Sequence, residues 1–255
     1  MKKREKKQLN KFIYTLILLV VALLIAYLNP LNKGKTENVV NSDNTSTLTT
    51  VTSFDLDSIP EYKDSPYVYI NNNKPYFEEK DYTTKVFENY SDLDNLGRCG
   101  VAYANICTEL MPKAGEKRGS ISSIYPSGWK QAMYKGIVDQ NALYNRCHLI
   151  GWQLAGENAN KKNLITGTRY MNVQGMLPFE NMVDDYFEED ENIDNHVLYR
   201  VTPIFKGSNL VASGVEMEAY SVEDNGKGIC FNVYVYNVQP GIEIDYSTGE
   251  SKLAK

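Results

Sequence analysis

Histidine is scarce in this chain of 255 residues, which contains only His148 and His196. Cysteine is scarce as well, and the four cysteines form no C-x-x-C pair, which argues against a zinc knuckle. No internal repeat is present. We interpret the cysteines mostly as small buried residues, although an extracellular location would also permit a Cys99–Cys107 disulfide.

An excess of positive charge is also missing, because the formal net charge is -5 at pH 7. The charge of the whole chain therefore gives no indication of a nucleic-acid partner. The hydrophobic content of 42% and the charged content of 23% are ordinary for a globular protein. The length allows one domain of about 200 residues with a sizeable core, together with a tail.

The N-terminus lacks a clear A-x-A cleavage site, although it carries an apolar run at residues 12–28. Five Lys or Arg at residues 2–7 precede this run. The pattern predicts a transmembrane signal anchor at residues 12–28, with residues 1–11 as a cytoplasmic basic flank and the rest of the chain outside. A cleaved signal peptide is the alternative.

The remainder of the chain divides by composition. Residues 29–57 are polar and without periodicity, which predicts a flexible stalk, and residues 58–255 should form the folded domain. An Asn-rich turn predicts a hairpin over residues 66–77, and the apolar spacing of residues 92–111 favours a helix. Alternating residues from position 196 onward predict strands. The expected class is α+β with a largely antiparallel sheet.

Charge is unevenly distributed along the folded domain. Residues 97–172 hold ten Lys or Arg and four acids, whereas residues 180–194 hold eight acids and no base. The acidic run is interpreted as a solvated face that lies away from any polyanion. The basic surplus is equally compatible with a solvated face and with a surface that binds a polyanion.

The basic stretch also contains side chains suited to phosphate chemistry. A neutral, exposed His148 could act as a general base, and Arg146 two residues earlier would lie on the same side of a strand. Asn172 offers an oxygen ligand for Mg²⁺, and Glu180 could hold metal-bound water. A helical stripe of Phe179, Met182, Val183, Tyr186 and Phe187 follows. Each residue has a structural alternative, since a lone histidine is more often structural and an asparagine more often a turn residue.

A longer pattern narrows these alternatives. The stretch "YNRCHLIGWQLAGENANKKNLITGTRYMN" at residues 144–172 resembles the active-site region of the DNA/RNA non-specific endonucleases. This family has a ββα-metal (His-Me finger) fold and a usual D-R-G-H signature. The similarity extends through "YPSGW" at 125–129, "MLPFE" at 176–180 and "YNVQPGIEIDYSTGES" at 236–251. It covers nearly the whole of the expected folded domain.

The resemblance implies a role for each matched residue. His148 stands at the general base and Arg146 at the arginine that contacts the phosphate. Asn172 stands at the direct ligand of a single Mg²⁺, for which Mn²⁺ can substitute, and Glu180 at the acid that holds the metal through water. Arg118 matches a second phosphate-binding arginine.

The sequence departs from the family pattern at two positions of the signature. Asn145 replaces the aspartate and Cys147 replaces the glycine, giving N-R-C-H. An arginine expected one helical turn beyond Glu180 is also missing, since that region holds Asp184 and Asp185. Because the motif arginine and histidine remain, we interpret N-R-C-H as an active variant.

Together these features predict a Mg²⁺-dependent nuclease that cleaves DNA and RNA with little base preference, at the cell surface or after secretion. The altered signature motivates one alternative, a catalytically weak extracellular domain that binds nucleic acid. The tyrosine-rich strands motivate another, a cell-surface interaction module. His196, beyond the acidic run, is interpreted as structural.

Overall fold

A central antiparallel sheet organises the computed structural model, which describes residues 55–255. The strands of this part of the chain are β1 Tyr67–Tyr69, β2 Phe87–Tyr90, β3 Ala102–Ile106, β4 Tyr144–His148, β5 Leu164–Thr168, β6 Val197–Ile204, β7 Gly214–Ser221, β8 Cys230–Tyr236, β9 Ile242–Ile244 and β10 Ser251–Leu253. Six of them form one sheet in the order β1-β8-β7-β6-β3-β2, with every neighbouring pair antiparallel. Two smaller sheets pair β4 with β5 and β9 with β10.

Helices are few among the described residues. They are α1 Trp152–Ala155, a π-helical segment Met171–Met176, α2 Leu177–Tyr186, and short 3-10 turns at Leu56–Ser58, Asn71–Asn73, Glu79–Asp81 and Asp190–Asn192. The predicted α+β class with a mainly antiparallel sheet is confirmed.

The C-terminal strands follow the predicted alternation. In β7 the side chains of Val215, Met217 and Ala219 enter the main hydrophobic core, so Glu216 and Glu218 point to the other face of the sheet. β6 and β8 flank β7 along its length. The prediction of strands in this region is therefore confirmed.

The helix expected over residues 92–111 is wrong, because its second half is the strand β3. β3 lies between β2 and β6, and both ladders use its backbone hydrogen-bonding groups. Ala102, Ala104 and Ile106 are fully buried on one face. Apolar residues two and four positions apart fit one face of a strand as well as a helical stripe, so spacing alone could not distinguish them.

The hairpin expected over residues 66–77 is also wrong, because β1 pairs with β8 rather than with the residues that follow it. Asn71, Asn72 and Asn73 all have positive φ, at 48°, 53° and 61°. Three such residues in succession carry the chain out of the sheet, whereas a tight hairpin turn needs two. The backbone N–H of Tyr76 instead donates to the Glu218 side chain at 2.7 Å.

The ββα unit consists of β4, β5, the π-helical segment and α2. α2 begins at Leu177, and Pro178 lies in its first turn, where the missing N–H costs nothing. Phe179, Val183 and Tyr186 pack into the main core. Met182 was expected in the same apolar stripe, but its side chain is 46% exposed, which corrects that expectation.

All four cysteines are free thiols, and three of them are buried. The Sγ of Cys99 lies 3.2 Å from the carbonyl oxygen of Leu164. No Cys99–Cys107 disulfide is formed in this structure, and the interpretation of the cysteines as mostly small buried residues is confirmed.

The predicted basic flank at 1–11, the anchor at 12–28 and all but the last three residues of the stalk at 29–57 lie outside the described residues. Within residues 55–255, no helix has both the length and the apolar character that crossing a membrane requires.

Candidate active site

A cavity of about 450 Å³ opens beside the ββα unit. Its lining includes every side chain predicted from the sequence to act in chemistry, namely Arg118, Arg146, His148, Asn172 and Glu180. Two of these come from β4, one from the π-helical segment, one from α2, and one from the loop before β4. Tertiary structure therefore gathers residues that span more than sixty positions of the chain.

His148 ends β4 and is held in one orientation by its neighbours. Its Nε2 lies 2.8 Å from the carbonyl oxygen of Asn158. A carbonyl can only accept a hydrogen bond, so Nε2 carries the hydrogen and Nδ1 carries the lone pair. Arg118 Nη2 donates to that Nδ1 at 3.0 Å. The base-competent nitrogen of His148 therefore faces the arginine.

His148 was expected to be exposed, but the residue is only 6% exposed, which corrects that expectation. Burial lowers the pKa of His148 to about 4; the hydrogen bond to the Asn158 carbonyl opposes this shift, and the Arg118 charge adds to it. The imidazole is consequently neutral near pH 7. A neutral ring is the form that can accept a proton.

Glu180 lies in the first turn of α2 and its carboxyl borders the cavity. Burial raises the pKa of Glu180 to about 7, and the positive charge of Arg118 opposes the rise. A β-carbon built on Gly151 would lie 3.0 Å from the carboxyl carbon of Glu180. The glycine therefore leaves room for the carboxyl where a larger residue would crowd it.

Asn172 sits in the π-helical segment, a form of helix that is rare and frequently occurs at functional sites. The segment packs closely on the central sheet, since a β-carbon on Gly175 would lie 2.3 Å from a methyl group of Val235. The arrangement presents Asn172 to the same cavity as Glu180.

The donor set fits a hydrated hard cation. The amide of Asn172 and the carboxyl of Glu180 supply oxygen atoms, which Mg²⁺ prefers. Within residues 55–255 no group of three or more His, Cys, Asp or Glu side chains could hold a metal ion. A site with so few protein ligands suits an ion that keeps most of its waters, and the cavity that both side chains line offers room for them.

Arg146 makes most of its contacts with a single loop. Its Nε donates to the carbonyl of Ile124, and its Nη2 donates to the carbonyl of Ser122 at 2.8 Å. Its guanidinium carbon lies 4.2 Å from the centre of the Trp129 ring and 5.3 Å from that of Tyr125. Arg146 therefore fixes this loop at the rim of the cavity, while its role toward a phosphate stays a prediction.

The two departures from the family signature are two residues apart in β4, on the same face of the strand, but their surroundings differ. Asn145 lines the cavity, whereas Cys147 is fully buried in the main core. A β-carbon on Gly167, which pairs with Asn145 in β5, would lie 2.3 Å from the Cys147 Sγ. Gly167 thus makes room for the thiol, and the cysteine leaves the cavity unchanged.

The loop between β4 and β5 contains the asparagines expected to shape it. Asn163 is fully buried and hydrogen-bonds both the N–H and the carbonyl of Ile150, each at 2.9 Å. The carbonyl of Asn158, which is the partner of His148, was not among the predicted groups of the site. Every residue has a carbonyl, so no sequence signal could have revealed it.

The remaining sequence expectations are resolved by position. His196 directly precedes β6 and does not line the cavity. Its Nδ1 lies 2.6 Å from a Glu223 carboxyl oxygen, consistent with a structural role. Much of the acidic run is exposed as expected, at Glu188, Glu189, Glu191 and Asp194. Glu180 is the exception, because it faces the cavity rather than away from it.

A neutral histidine, cationic side chains and oxygen donors around one cavity suit the attack of an activated water on an anionic ester. This is the chemistry of metal-dependent phosphodiester hydrolases. The family model for DNA/RNA non-specific endonuclease matches residues 79–223, more than half of the chain.

Solved structures with this fold point to the same family. NucA from Streptococcus agalactiae with a bound magnesium ion has a TM-score of 0.62 and 25% identity, covering 76% of this chain and 89% of that one. The Sda1 nuclease with a bound zinc ion has a TM-score of 0.61 and 27% identity, covering 75% of this chain and 97% of that one.

A curated deoxyribonuclease from Streptococcus dysgalactiae subsp. equisimilis is 32% identical over 119 residues, which is 45% of this chain and 35% of that protein. The match thus spans about a third of that relative's length. The chain belongs to the DNA/RNA non-specific endonuclease family.

Proposed function

We propose that this enzyme hydrolyses DNA and RNA with one Mg²⁺ ion, for which Mn²⁺ can substitute, and with His148 as the general base. The observation that carries the proposal is the hydrogen bond from His148 Nε2 to the Asn158 carbonyl, 2.8 Å long. It leaves the lone pair on Nδ1, beside an arginine and a carboxyl in one cavity.

Arg118 and His148 act in sequence. Arg118 donates to Nδ1 at 3.0 Å, so the arginine has to leave before a water molecule can approach that nitrogen. A phosphate entering the cavity offers the guanidinium a charge-assisted hydrogen bond, which is stronger than one to a neutral imidazole. Substrate binding therefore draws Arg118 onto the phosphate and frees the base.

In the proposed hydrolysis step, one bond to phosphorus forms and one breaks. His148 Nδ1 accepts a proton from water while the water oxygen attacks phosphorus, and the bond from phosphorus to the 3′-oxygen breaks. The leaving 3′-oxygen takes up a proton from solvent, and protonated His148 later releases its proton to solvent. The products are a 5′-phosphate and a 3′-hydroxyl. Arg118 and the N–H groups of Arg146 that are not bonded to the loop neutralise the non-bridging oxygens.

Asn172 would bind the metal ion directly and Glu180 would hold it through water. The oxygen donors of the two side chains and the cavity that both of them line support this assignment. When bound, the ion supplies positive charge next to the phosphate, which stabilises the developing negative charge by several kcal/mol.

Weak base preference is expected because the groups proposed to act, His148 and the two arginines, act on the phosphate. Phosphate contacts position a nucleic acid but carry no sequence information. The surplus of Lys and Arg in residues 97–172 supports a path along which the sugar–phosphate backbone binds.

The enzyme is proposed to act outside the cell, either anchored by residues 12–28 or secreted after their removal. The basic cluster at residues 2–7 supports an N-terminus that stays inside. Protease added to intact cells should abolish the nuclease activity. Activity that survives in sealed cells would contradict this location.

A plasmid assay tests the catalytic proposal. The purified protein should degrade plasmid DNA with Mg²⁺ and lose that activity in EDTA. Retention of plasmid without cleavage in a gel-shift assay would instead support a catalytically weak binding domain. Neither binding nor cleavage would support an interaction module of another kind.

A further inference from the structure

The loop of residues 120–129, here called the rim loop, is held rigidly at the edge of the cavity. Arg146 bonds to two of its carbonyls, and Ser127 Oγ donates to the carbonyl of Leu210 at 2.6 Å. Thr166 Oγ1 donates to the Ser127 carbonyl at 2.8 Å. A β-carbon on Gly249 would lie 1.8 Å from the Gly128 carbonyl oxygen, so the backbone there is closely packed.

This rigid loop displays a large aromatic ring to solvent. Tyr125 is 72% exposed, the highest value among the exposed large hydrophobic residues that the structure describes. Pro126 follows it and restricts the backbone. No hydrogen bond engages the Tyr125 hydroxyl within residues 55–255. A planar group can stack on the exposed face of this ring.

Arg146 connects this ring to the cavity. Its guanidinium carbon lies 5.3 Å from the centre of the Tyr125 ring, and the same side chain lines the cavity with His148. The ring is thus one side chain away from the place where the scissile phosphate would bind. The nucleobases on either side of that phosphate are the flat groups of the substrate that would come nearest to Tyr125.

We propose that Tyr125 stacks on a nucleobase directly next to the scissile phosphate. The proposal rests on the nuclease function proposed above and adds a contact with the base that phosphate chemistry alone does not require. Stacking tolerates any sequence because every base has a π-face, so it agrees with weak base preference. It requires a base whose face is accessible, which favours single-stranded or locally opened nucleic acid.

The test uses short single-stranded DNA with one cleavable phosphodiester, all other linkages being methylphosphonates. One version carries both flanking bases, and two others carry an abasic tetrahydrofuran on the 5′ or the 3′ side. For the unaltered enzyme, removing one of the two bases should raise KM about 5- to 150-fold, the effect of losing one stacked base. The kcat should change less.

Tyr125→Ala should show the same rise in KM on the substrate with both bases. It should show no further loss on the abasic substrate, and it should cleave that substrate as fast as the unaltered enzyme does. Tyr125→Trp should keep the difference between the two substrates. Tyr69→Ala is the matched control, since Tyr69 is 59% exposed on β1 and does not line the cavity.

Either of two KM results would overturn the stacking proposal, and a third result, on cleavage rate, would contradict it as well. One is a Tyr125→Ala enzyme with unchanged KM on the intact substrate, and the other is a variant that still distinguishes base from abasic site. Slow cleavage of the abasic substrate by Tyr125→Ala would also contradict it, because the ring would then act otherwise than by stacking. Failure of the unaltered enzyme to cleave plasmid DNA with Mg²⁺ would instead refute the nuclease proposal itself.

Discussion

Two glutamates on opposite sides of the central sheet have their pKa raised to the same value, but their surroundings differ. On the face that packs against α2, burial raises the pKa of Glu180 to about 7, and its carboxyl borders an open cavity. On the opposite face, burial and then the neighbouring Glu218 raise the pKa of Glu216 to about 7 as well. Glu216 is only 4% exposed and does not line the cavity.

The partners of the two glutamates differ as much as their exposure. Glu180 lies near Arg118 and His148, which share its cavity. Glu216 lies beside Glu218, which is paired with Arg200 at 2.6 Å. The Oε1 of Glu216 has no hydrogen-bond partner within residues 55–255. A raised pKa therefore reports burial in both places, whereas access for a solute and convergent polar groups single out the first as a site of chemistry.

The largest expected effect is the loss of the general base on the cavity face. His148→Ala should lower kcat about 10²- to 10⁴-fold, because the attacking water loses its proton acceptor. Added imidazole should restore part of the rate. The assay is plasmid cleavage under saturating Mg²⁺, with the folded state checked by circular dichroism.

His196→Ala provides the matched control for this experiment. His196 bonds to Glu223 away from the cavity, so its loss should leave kcat near normal. A His148→Ala enzyme with near-normal turnover would refute the general-base assignment.

The next effect concerns metal use on the same face. Glu180→Ala should weaken Mg²⁺ affinity or activity about 10- to 100-fold, as for groups that act on a metal through water. Asn172→Ala should weaken it more, because a direct ligand is lost. Titration of activity with Mg²⁺ for both variants measures the order, and equal or reversed dependence would contradict the assignment.

On the opposite face, Glu216 should affect stability and leave catalysis unchanged. Its pKa is about 7 in the folded protein against 4.5 for the ordinary group, so between these values the folded state holds the extra proton. The contribution of Glu216 to stability therefore falls as the pH rises from about 4.5 to 7. Glu216→Gln removes this dependence and should stabilise the protein by about 2 kcal/mol at pH 8.

Urea unfolding at pH 5 and pH 8 measures this effect, with plasmid cleavage as the check that activity is retained. If the variant loses as much stability between the two pH values as the unaltered protein does, Glu216 is not the group responsible. Loss of cleavage would show that the two faces are coupled rather than independent.

The smallest expected effect distinguishes the basic surface from lysines elsewhere. Lys117 is exposed next to Arg118, so Lys117→Ala should weaken DNA binding slightly and reduce the slope of log affinity against log salt by about 1. Lys252, which is paired with Glu243 at 2.9 Å and lies off the cavity, is the control. Equal slopes for the two variants would place Lys117 outside the nucleic-acid path.

Local patterns predicted the elements whose two faces differ in polarity. Apolar and polar residues alternate along the strands β6, β7 and β8, and the first turns of α2 carry an apolar stripe. The period of each element could therefore be recognised in the sequence. β3 was mistaken for a helix because the spacing of its apolar residues fits one face of a strand as well as a helical stripe. The partner of β1 was misjudged because β8 lies more than 150 residues away in the chain.

The residues of the cavity were predictable from the sequence because chemistry restricts their types. A proton acceptor at His148, guanidinium groups at Arg118 and Arg146, and oxygen donors at Asn172 and Glu180 leave little choice of side chain. Their convergence, by contrast, depends on the β4–β5 pairing and on the π-helical segment.

Tertiary structure alone decided which nitrogen of His148 carries the hydrogen, because the Asn158 carbonyl is supplied by a folded loop. It also decided that Arg146 holds the rim loop, and that burial gives Glu180 and Glu216 similar pKa values on opposite faces. Burial, backbone contacts and distances between remote segments are properties of the packed chain. Sequence determines the available chemical groups, and packing determines their surroundings.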